Sequence, residues 1–469
     1  MLFNSVHFLF FLPIVVILYY LIPHKYRWVF LLVASYYFYM SWKAEYAIII
    51  IGSTIVDYWA GLRMGRDISQ KRKRKYLALS LLSNLGVLFF FKYFNFVNDS
   101  VQEVLNQFSI FYDKPELNVL LPVGISFYTF QTLSYSIEVY TGKQKAEKHF
   151  GIFALYVSFF PQLVAGPIER YVRLGRQFKV KHRLKWGNIS NGLRLILFGF
   201  FIKMTIADNI SLYVDQIYAS PTEYSSWSIL QAIFYYSFQI YADFYGYSII
   251  AVGSARLLGI DLMDNFKTPY LAKNIGEFWN RWHISLSTWF RDYLFIPLGG
   301  NRVKISRLYL NIFIVFTVSG LWHGANWTFV IWGALHGIYY MIQNIGAKLF
   351  NISEKEAWPI SNIIKVISNF VLVSIAWVFF RSESFDKAIL IFTSIFKNIK
   401  IEDSFHVPTI VLILLFSFIL SDFILYKQRF DVWISNKKGL VRWGIYGLLL
   451  FSILALSGVN NNPFIYFQF

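Results

Sequence analysis

Long apolar runs separated by short polar stretches are the dominant pattern of this chain. Each of the main runs is long enough, or nearly long enough, to cross about 30 Å of hydrocarbon as a helix. They are residues 8–22, 47–64, 76–93, 312–321 continued through 329–341, 363–380 and 407–425. Allowing for tilt and for aromatic side chains at the interfaces, the pattern predicts roughly a dozen transmembrane helices. We therefore predict an all-α polytopic membrane protein in which residues 1–469 form a single membrane-embedded domain.

Composition and charge support the bilayer as the solvent of this protein. The chain is 56% hydrophobic and only 15% charged, which does not suit a water-soluble domain of this length. Its net charge of +18 would suggest nucleic acid binding in a soluble protein, but the cations here lie in short loops between apolar runs. That distribution orients a membrane protein, so we expect the basic runs at residues 63–75 and 170–185 to face the cytoplasm and its anionic lipids. Lipid is the expected partner, and nucleic acid is not.

Two segments do not fit a simple crossing. The lysine-bearing loop at residues 143–148 and the basic run at 170–185 should both be cytoplasmic, yet only residues 150–168 separate them. The sequence FFPQLVAGPIER within that segment contains prolines and a glycine that break a continuous helix, so we predict a re-entrant hairpin. Residues 277–302 carry charges throughout and are expected to dip into the membrane or lie along its surface.

The remaining topology follows from these assignments. Residues 1–6 contain no basic residue, and no small-residue cleavage site follows the first apolar run, so we expect that run to be retained rather than cleaved as a signal. With two non-crossing segments, both termini fall outside the cytoplasm. Extramembrane loops are expected at residues 98–117 and 385–405, and the second of these has apolar residues at helical spacing, which predicts a helix in the interface.

Ionisable residues at membrane depth are the strongest indicators of function, because charges in hydrocarbon are costly and usually line a cavity or pair with one another. The chain has no cysteine, which excludes a thiolate nucleophile, a cysteine-ligated metal and a disulfide. The candidate residues are Asp57, Glu138, Asp208, Asp243, Glu277, Arg281, His283, Asp292, His323 and Arg381.

Two histidines stand apart because each follows a tryptophan, in EFWNRWHISLSTW and in SGLWHGANW. On a continuous helix, Asn280, His283, Ser287 and Arg291 would share one polar stripe, which needs water, a ligand or a partner inside apolar surroundings. His323 is followed by Gly324, which would let a backbone or a substrate approach closely. A buried histidine held by an ordinary core hydrogen bond is the alternative interpretation.

Neutral imidazole is the commonest general base, and the transfer of an acyl group from a thioester to an alcohol suits it. The thioester is already activated, so the protein need only deprotonate the alcohol and stabilise the oxyanion. We expect no metal, because no HExxH motif or carboxylate triad accompanies the histidines. A transporter or flippase with a polar midplane site, and a scaffold whose histidines only join helices, remain alternatives.

Several stretches of the chain resemble the bacterial branch of the membrane-bound O-acyltransferase family. They include LPVGISFYTFQTLSYSIEVYTGK, FFPQLVAGPIERY, NFKTPYLAKNIGEFWNRWHISLSTWFRDYLFIPLGGNR, GLWHGANWTFVIWGALHG, WVFFRSESFDKA and PFIYFQF. The resemblance implies a ring of helices around a thinned centre with a central tunnel. It implies that His323 is the catalytic residue and that His283 is a second functional residue in the tunnel.

The resemblance also guides the expected lining of the tunnel. We expect substrate or tunnel contacts at Asn280, Arg281, Trp282, Ser287, Arg291, Asp292, Trp322, Asn326, Asp243, Pro161, Gln162 and Arg170. Members of the family often read DFxGYSDxAIG where this chain has DFYGYSIIAVG, so the second acidic residue is replaced by Ile249 while Asp243 is retained. A role for that second carboxylate therefore does not transfer.

The function implied is O-acylation at the bacterial cytoplasmic (inner) membrane by a multi-pass protein. The expected donor is acetyl-CoA or another acyl thioester on the cytoplasmic side, with no permanently bound cofactor, and the product is an O-acetylated secreted or cell-wall polysaccharide. The implied partner is an extracytoplasmic hydrolase-like acyltransferase whose serine is the immediate acceptor. D-alanyl transfer from a carrier protein to a cell-wall polymer is the alternative within the family. The enzymatic interpretation requires an aqueous path to His323.

Overall fold

The computed structural model describes residues 1–66, 69–117, 119–163, 166–349, 359–400, 402, 405–457 and 464–465. Every regular element within these ranges is helical, and the chain divides into two compact units. The predicted all-α polytopic class is therefore confirmed.

The first unit comprises residues 1–190 and 254–263. Its helices are α1 (Val6–Leu21), α2 (His24–Met40), α3 (Ala47–Met64), α4 (Gln70–Leu88), α5 (Phe94–Gln107), α6 (Ile125–Tyr140), α7 (Phe150–Ser158), α8 (Phe160–Leu163) and α9 (Tyr171–Gln177). Helix α3 has the same bounds as the apolar run that predicts it. Helix α5 covers the first half of the segment at residues 98–117, whose extramembrane location stays a prediction.

A buried polar network joins α3, α4 and α6 in the first unit. The carboxylate of Asp57 is fully buried and accepts hydrogen bonds from Ser80 at 2.5 Å and from the Asn84 amide at 2.8 and 2.9 Å. Thr132 of α6 donates to the Asn84 oxygen at 3.1 Å. A buried carboxylate without such donors would be strongly destabilising, so Asp57 has a structural explanation.

The chain breaks where the sequence predicts it at residues 150–168. Helix α7 ends at Ser158, Phe159 leaves the helical conformation with φ of −53° and ψ of 112°, and the four-residue helix α8 contains Pro161. The nine residues of α7 are too short to cross about 30 Å of hydrocarbon. This segment therefore contains no continuous crossing helix among its described residues, which exclude 164 and 165, and its re-entrant path stays a prediction.

The second unit comprises residues 191–253 and 264–469, and two of its helices extend a few residues beyond these limits. Its helices are α10 (Trp186–Phe200), α11 (Asp208–Ala219), α12 (Ser226–Leu257), α13 (Ile275–Arg281), α14 (Ile284–Phe290), α15 (Ile305–His323), α16 (Trp327–Leu349), α17 (Pro359–Arg381), α18 (Phe385–Lys397), α19 (Thr409–Ile424), α20 (Phe430–Ser435) and α21 (Gly439–Leu456). Helix α18 lies within the segment predicted to be an interfacial helix.

Short segments of other helical types complete the description. The π-helical segments are Phe89–Tyr93, Phe201–Ala207 and Arg291–Phe295. The 3₁₀ segments are Ala44–Tyr46, Pro221–Glu223, Pro269–Leu271 and Asn398–Lys400.

Six helical stretches in the described part of the chain have the length and hydropathy of a membrane span. They are Ala44–Met64, Gln70–Gln107, Trp186–Ala219, Ile305–His323, Ser361–Arg381 and Gly439–Leu456. Val6–Leu21 and Thr409–Ile424 are shorter apolar helices. The predicted dozen spans and their arrangement in a ring stay predictions.

Helices α15 and α16 pack unusually closely through glycine. A Cβ placed on Gly320 would lie 2.2 Å from the backbone oxygen of Phe329, and one on Gly333 would lie 2.2 Å from that of Phe316. Small residues allow such close approach between membrane helices. The two helices replace the single run predicted from residues 312–341, because the chain leaves the helical path between His323 and Trp327.

Candidate active site

His283 lies in a tight turn between α13 and α14. Its backbone is left-handed, with φ of 41° and ψ of 53°, which is uncommon for a residue other than glycine. The backbone oxygen of Asn265 accepts the Ile284 N–H at 3.0 Å, and its side-chain oxygen accepts the Ser285 N–H at 3.2 Å. Asn265 therefore fixes the first turn of α14 and, with it, the position of His283.

This turn corrects the predicted polar stripe. Asn280 lies on α13, whereas Ser287 lies on α14 and Arg291 begins the π-helical segment that continues it. The four residues are thus not on one helix. His283 itself is fully buried, and its ring packs edge to face on Phe244 with a centroid distance of 4.6 Å.

His323 is the last residue of α15 and is 3% exposed. Its ring lies edge to face against Trp322 and against Trp332 of α16, each with a centroid distance of 4.9 Å, and contacts Phe380 of α17 at 5.3 Å. The space beside Gly324, expected to admit a backbone or a substrate, is filled by Phe329, whose ring would lie 2.0 Å from an added Cβ.

The structure brings the two predicted catalytic histidines together. Their ring centroids are 6.4 Å apart, and Trp322 lies 6.1 Å from His283. The two rings come from elements about forty residues apart in sequence, one from the α13–α14 turn and one from the end of α15. A small reacting group between them could contact both imidazoles.

A third histidine, His336, belongs to the same aromatic cluster and was missed in the sequence. It is fully buried on α16, one helical turn after Trp332, and the Trp279 indole N–H donates to its Nδ1 at 3.3 Å. The available signal was the stretch WGALH, in which Trp332 and His336 stand four residues apart, at helical spacing. Trp332 contacts both His336 and His323, with centroid distances of 5.0 and 4.9 Å.

A cavity of about 370 Å³ lies among α13, α14, α15 and α16. Three of the predicted tunnel residues line it, namely Asn280, Ser287 and Arg291. Ser319, one helical turn before His323, also lines it. Neither His283 nor His323 is part of its lining, so the path from water to His323 stays a prediction.

A chain of packed aromatic rings nevertheless joins the wall of the cavity to His323. Trp279 lines the cavity and lies 5.7 Å from Trp332, which contacts His323. The indole N–H of Trp332 is buried and has no hydrogen-bond acceptor among the described residues. A carbonyl oxygen or an oxyanion near His323 would supply such an acceptor.

Asp243 belongs to a buried ion cluster rather than to this cavity. Lys203, only 2% exposed, lies 2.5 Å from Asp243 and 2.6 Å from Asp208, and the Ile465 N–H donates to the other oxygen of Asp243 at 2.7 Å. Lys203 was missed because it stands alone in an apolar run. One cation shared by two carboxylates is a structural role of the kind that the sequence left open for Asp243.

The other predicted tunnel residues have varied surroundings. Arg281 pairs with Glu277 at 2.7 Å and stacks over Tyr426 at 4.8 Å, and Asp292 pairs with Arg291 at 2.9 Å. Trp282 is fully buried against Trp377, with a centroid distance of 5.0 Å.

Asn326 precedes α16 and is engaged with the backbone. Its amide donates to the Glu383 oxygen at 2.7 Å, and its side-chain oxygen accepts the Thr328 N–H at 3.0 Å. This geometry caps the start of α16. The Asn326 amide is therefore already engaged, and its contact with the substrate or tunnel stays a prediction.

Pro161, Gln162 and Arg170 belong to the first unit, whereas both histidines belong to the second. The Gln162 amide donates to the Tyr156 oxygen at 2.6 Å, and Arg170 lies just before α9. Their contribution to a tunnel stays a prediction.

Comparison with known proteins gives consistent matches. The sequence profile of the membrane-bound O-acyltransferase family matches residues 53–382. The probable alginate O-acetylase AlgI of Pseudomonas putida is 38% identical over 499 aligned positions that cover 100% of both chains. The peptidoglycan O-acetyltransferase of Helicobacter pylori is 36% identical over 387, covering 76% of this chain and 72% of the relative. The teichoic acid D-alanyltransferase of Bacillus subtilis is 30% identical over 290, covering 58% of this chain and 71% of the relative.

The matched region contains both histidines, the cavity residues of α13 to α16 and the buried ion cluster. The apolar helices described above give it the membrane location that the family name states. This chain belongs to the membrane-bound O-acyltransferase family and is a membrane O-acyltransferase.

Proposed function

We propose that this protein transfers an acetyl group from a cytoplasmic thioester, acetyl-CoA, to a hydroxyl acceptor across or within the bacterial cytoplasmic membrane. The transfer serves O-acetylation of a secreted or cell-wall polysaccharide. Acetyl is favoured over D-alanyl because the alginate O-acetylase matches the whole chain, whereas the D-alanyltransferase matches 58% of it.

The observation that carries this proposal is the pair of buried imidazoles with ring centroids 6.4 Å apart. His323 takes the proton of the acceptor hydroxyl as its oxygen attacks the thioester carbonyl. The tetrahedral intermediate then expels the thiolate with cleavage of the C–S bond, and the thiolate takes the proton from His323. A positioned base of this kind contributes typically about 100- to 10,000-fold to a rate.

His283 orients the donor or donates a hydrogen bond to the oxyanion. The turn, fixed by Asn265, holds the backbone of His283, and the ring is fully buried against Phe244, which preorganises the imidazole for stabilisation of charge. The indole N–H of Trp332 is a second candidate donor, because it is buried beside His323 without an acceptor among the described residues.

The cavity lined by Asn280, Ser287 and Arg291 is the proposed approach to the histidines. It reaches Ser319, which precedes His323 by four residues and therefore by about 6 Å along the helix axis. A reacting group that comes from this cavity must displace part of the aromatic wall formed by Trp279 and Trp332. Until the acceptor binds, the undisplaced wall would keep water from the thioester.

The proposed immediate acceptor is a serine hydroxyl of a separate extracytoplasmic hydrolase-like acyltransferase, which then modifies the polysaccharide. The proposed donor approaches from the cytoplasmic side, where the basic run at residues 170–185 suits its phosphates. No resident cofactor takes part in this scheme.

The test is acetyl transfer by the purified protein with radiolabelled acetyl-CoA and a model serine acceptor. His323→Ala should lower the rate by at least about 100-fold, whereas His406→Ala, which changes an exposed histidine, should leave it unchanged. His283→Ala should lower the rate strongly while donor binding is partly kept. A His323→Ala variant that folds normally and cleaves the thioester at the wild-type rate would remove the catalytic assignment.

Two further results would favour the alternatives. Transfer of D-alanine from a charged carrier protein, without transfer of acetyl, would place the chain with the D-alanyltransferases. Transport of a labelled solute without any thioester cleavage would favour a transporter.

A further inference from the structure

A second cavity, of about 310 Å³, lies in the same unit as the two histidines. Residues of α12, of the segment before α13 and of the segment after α19 form its wall. It does not share any lining residue with the cavity beside α15. The mechanism proposed above gives it no role.

The charged residues of this wall are mostly basic. Lys267, Lys427 and Arg429 line the cavity, and Asp264 is the one carboxylate in its lining. The charge of Arg429 is fully offset, because the residue pairs with two carboxylates, Asp264 at 3.1 Å and Asp431 at 2.7 Å. The two lysines are exposed and leave the wall with a net positive charge. Such a wall favours an anionic ligand.

Asn265 gives the cavity a polar floor with an unused donor. The residue lines the cavity and is 2% exposed, and its amide nitrogen has no hydrogen-bond acceptor among the described residues. Its two oxygens are both used, since they accept the N–H groups of Ile284 and Ser285. A buried amide donor without an acceptor costs free energy, which a ligand oxygen would recover.

The wall of α12 contributes Ile249, which is buried at 4% exposure. An acidic residue at this position would place a carboxylate in the wall, and its negative charge would offset the positive charge of one lysine. The apolar side chain instead adds no negative charge to the one that Asp264 contributes to the wall. Position 249 is therefore a site at which the charge of the cavity can be changed by one residue.

We propose that this cavity binds a phosphate group, with the Asn265 amide as its buried donor and with Lys267 and Lys427 as its cations. Asn265 then has two functions, since its nitrogen contacts the ligand while its oxygens hold the turn that carries His283. Binding in the cavity is thereby coupled to the position of the catalytic turn. The phosphate comes from the nucleotide end of the thioester donor, which rests on the proposed function, or from an anionic lipid headgroup.

Binding to the full-length protein in phosphatidylcholine nanodiscs tests this proposal without turnover. The probes are coenzyme A, adenosine 3′,5′-bisphosphate and phosphatidylglycerol. Asn265→Asp keeps the side-chain oxygen that accepts the Ser285 N–H but replaces the donor with a negative oxygen, so coenzyme A should bind about tenfold more weakly. Lys267→Gln and Lys427→Gln should each weaken binding about two- to fivefold, less so in high salt. Lys397→Gln, which changes an exposed lysine of α18, should have no effect.

Position 249 supplies a matched pair in case Asn265→Asp does not fold. Ile249→Asp and Ile249→Asn have nearly the same size and differ by one charge, so the aspartate should weaken binding about tenfold more than the asparagine. In acetyl transfer, Asn265→Asp should raise KM for acetyl-CoA by a larger factor than it lowers kcat. A merely structural role would lower the melting temperature and kcat and would leave KM unchanged.

The outcomes distinguish a phosphate of the nucleotide from a phosphate of a lipid. They also distinguish failure of the phosphate site from failure of the proposed acetyl transfer. If the variants lose bound phosphatidylglycerol but bind coenzyme A normally, the phosphate is that of a lipid and the site stands. If coenzyme A binds with this dependence but no acyl group is transferred, the proposed function fails and the phosphate site stands. If folded Asn265→Asp, Ile249→Asp and lysine variants bind all three probes as the wild type does, the phosphate site is refuted.

Discussion

The close contact between α15 and α16 leads to a specific prediction about Gly320. A methyl group at this position would lie 2.2 Å from the Phe329 oxygen and 3.2 Å from the Gly333 Cα. Both neighbours are backbone atoms, so neither can rotate away. The helices must separate by about 1 Å, and overpacking of this kind typically costs about 1–3 kcal/mol.

The displacement acts on the end of α15 that carries His323, three residues later. His323 packs against Trp332 of α16, so a shift of one helix against the other changes the distance between these rings. A misplacement of about 1 Å at a reacting group can lower a rate by about 100-fold. Gly320→Ala should therefore lower both the melting temperature and the rate of acetyl transfer. The factor by which kcat falls should exceed the factor by which KM changes.

The measurements are thermal unfolding in detergent and acetyl transfer from labelled acetyl-CoA. Gly346→Ala is the matched control, because it lies on α16 and a Cβ there meets nothing within 4 Å. Replacing a helical glycine without a clash should stabilise the protein by about 0.5–1 kcal/mol. If Gly320→Ala melts and reacts like the wild type while Gly346→Ala behaves as expected, the packing of α15 on α16 does not set the position of His323.

Two other predictions concern buried charges. Lys203→Met should lower the stability by about 3–5 kcal/mol, seen as a large fall in melting temperature, because Asp208 and Asp243 lose their shared cation; a normal melting temperature would contradict the ion cluster. Burial raises the pKa of Glu169, in the segment before α9, from about 4.5 to about 7. The folded protein then holds a proton that the unfolded chain releases, so stability should fall as pH rises from about 5 to 7, and Glu169→Gln should flatten that fall in a series of melting temperatures. An unchanged pH dependence in Glu169→Gln would exclude this carboxyl as the cause.

Apolar runs in this sequence predict helices well where the length of the run alone determines that a helix forms. Residues 47–64 form α3, and residues 407–425 contain α19, because uninterrupted apolar runs of this length have few other ways to satisfy their backbone in a membrane. Proline and glycine likewise predicted the interruption after α7. These features depend on local sequence only.

Features that depend on contacts between residues distant in sequence could not be predicted from the local pattern. The left-handed turn at His283 is fixed by Asn265, eighteen residues earlier, so periodicity alone predicted one helix where there are two. Likewise, the chain leaves its helical path after His323, although hydropathy continues into α16.

The candidate site was predicted in part. The Trp-His pairs identified two histidines that the fold places 6.4 Å apart, and three of the polar residues predicted for the tunnel share a cavity. His336 was missed because its partner Trp279 is on another helix. Lys203 was missed because an isolated lysine in an apolar run gives no indication of which carboxylates it will meet.

The π-helical segment Phe201–Ala207 has a further effect on the ion cluster. In an α-helix, residues five apart point about 140° away from each other, so Lys203 and Asp208 could not readily meet on one face. The wider winding brings them to 2.6 Å while Lys203 still reaches Asp243 of α12. Deletion of one residue between Lys203 and Asp208 would give a four-residue spacing, at which an ordinary α-helix places the two side chains on one face without the wider winding.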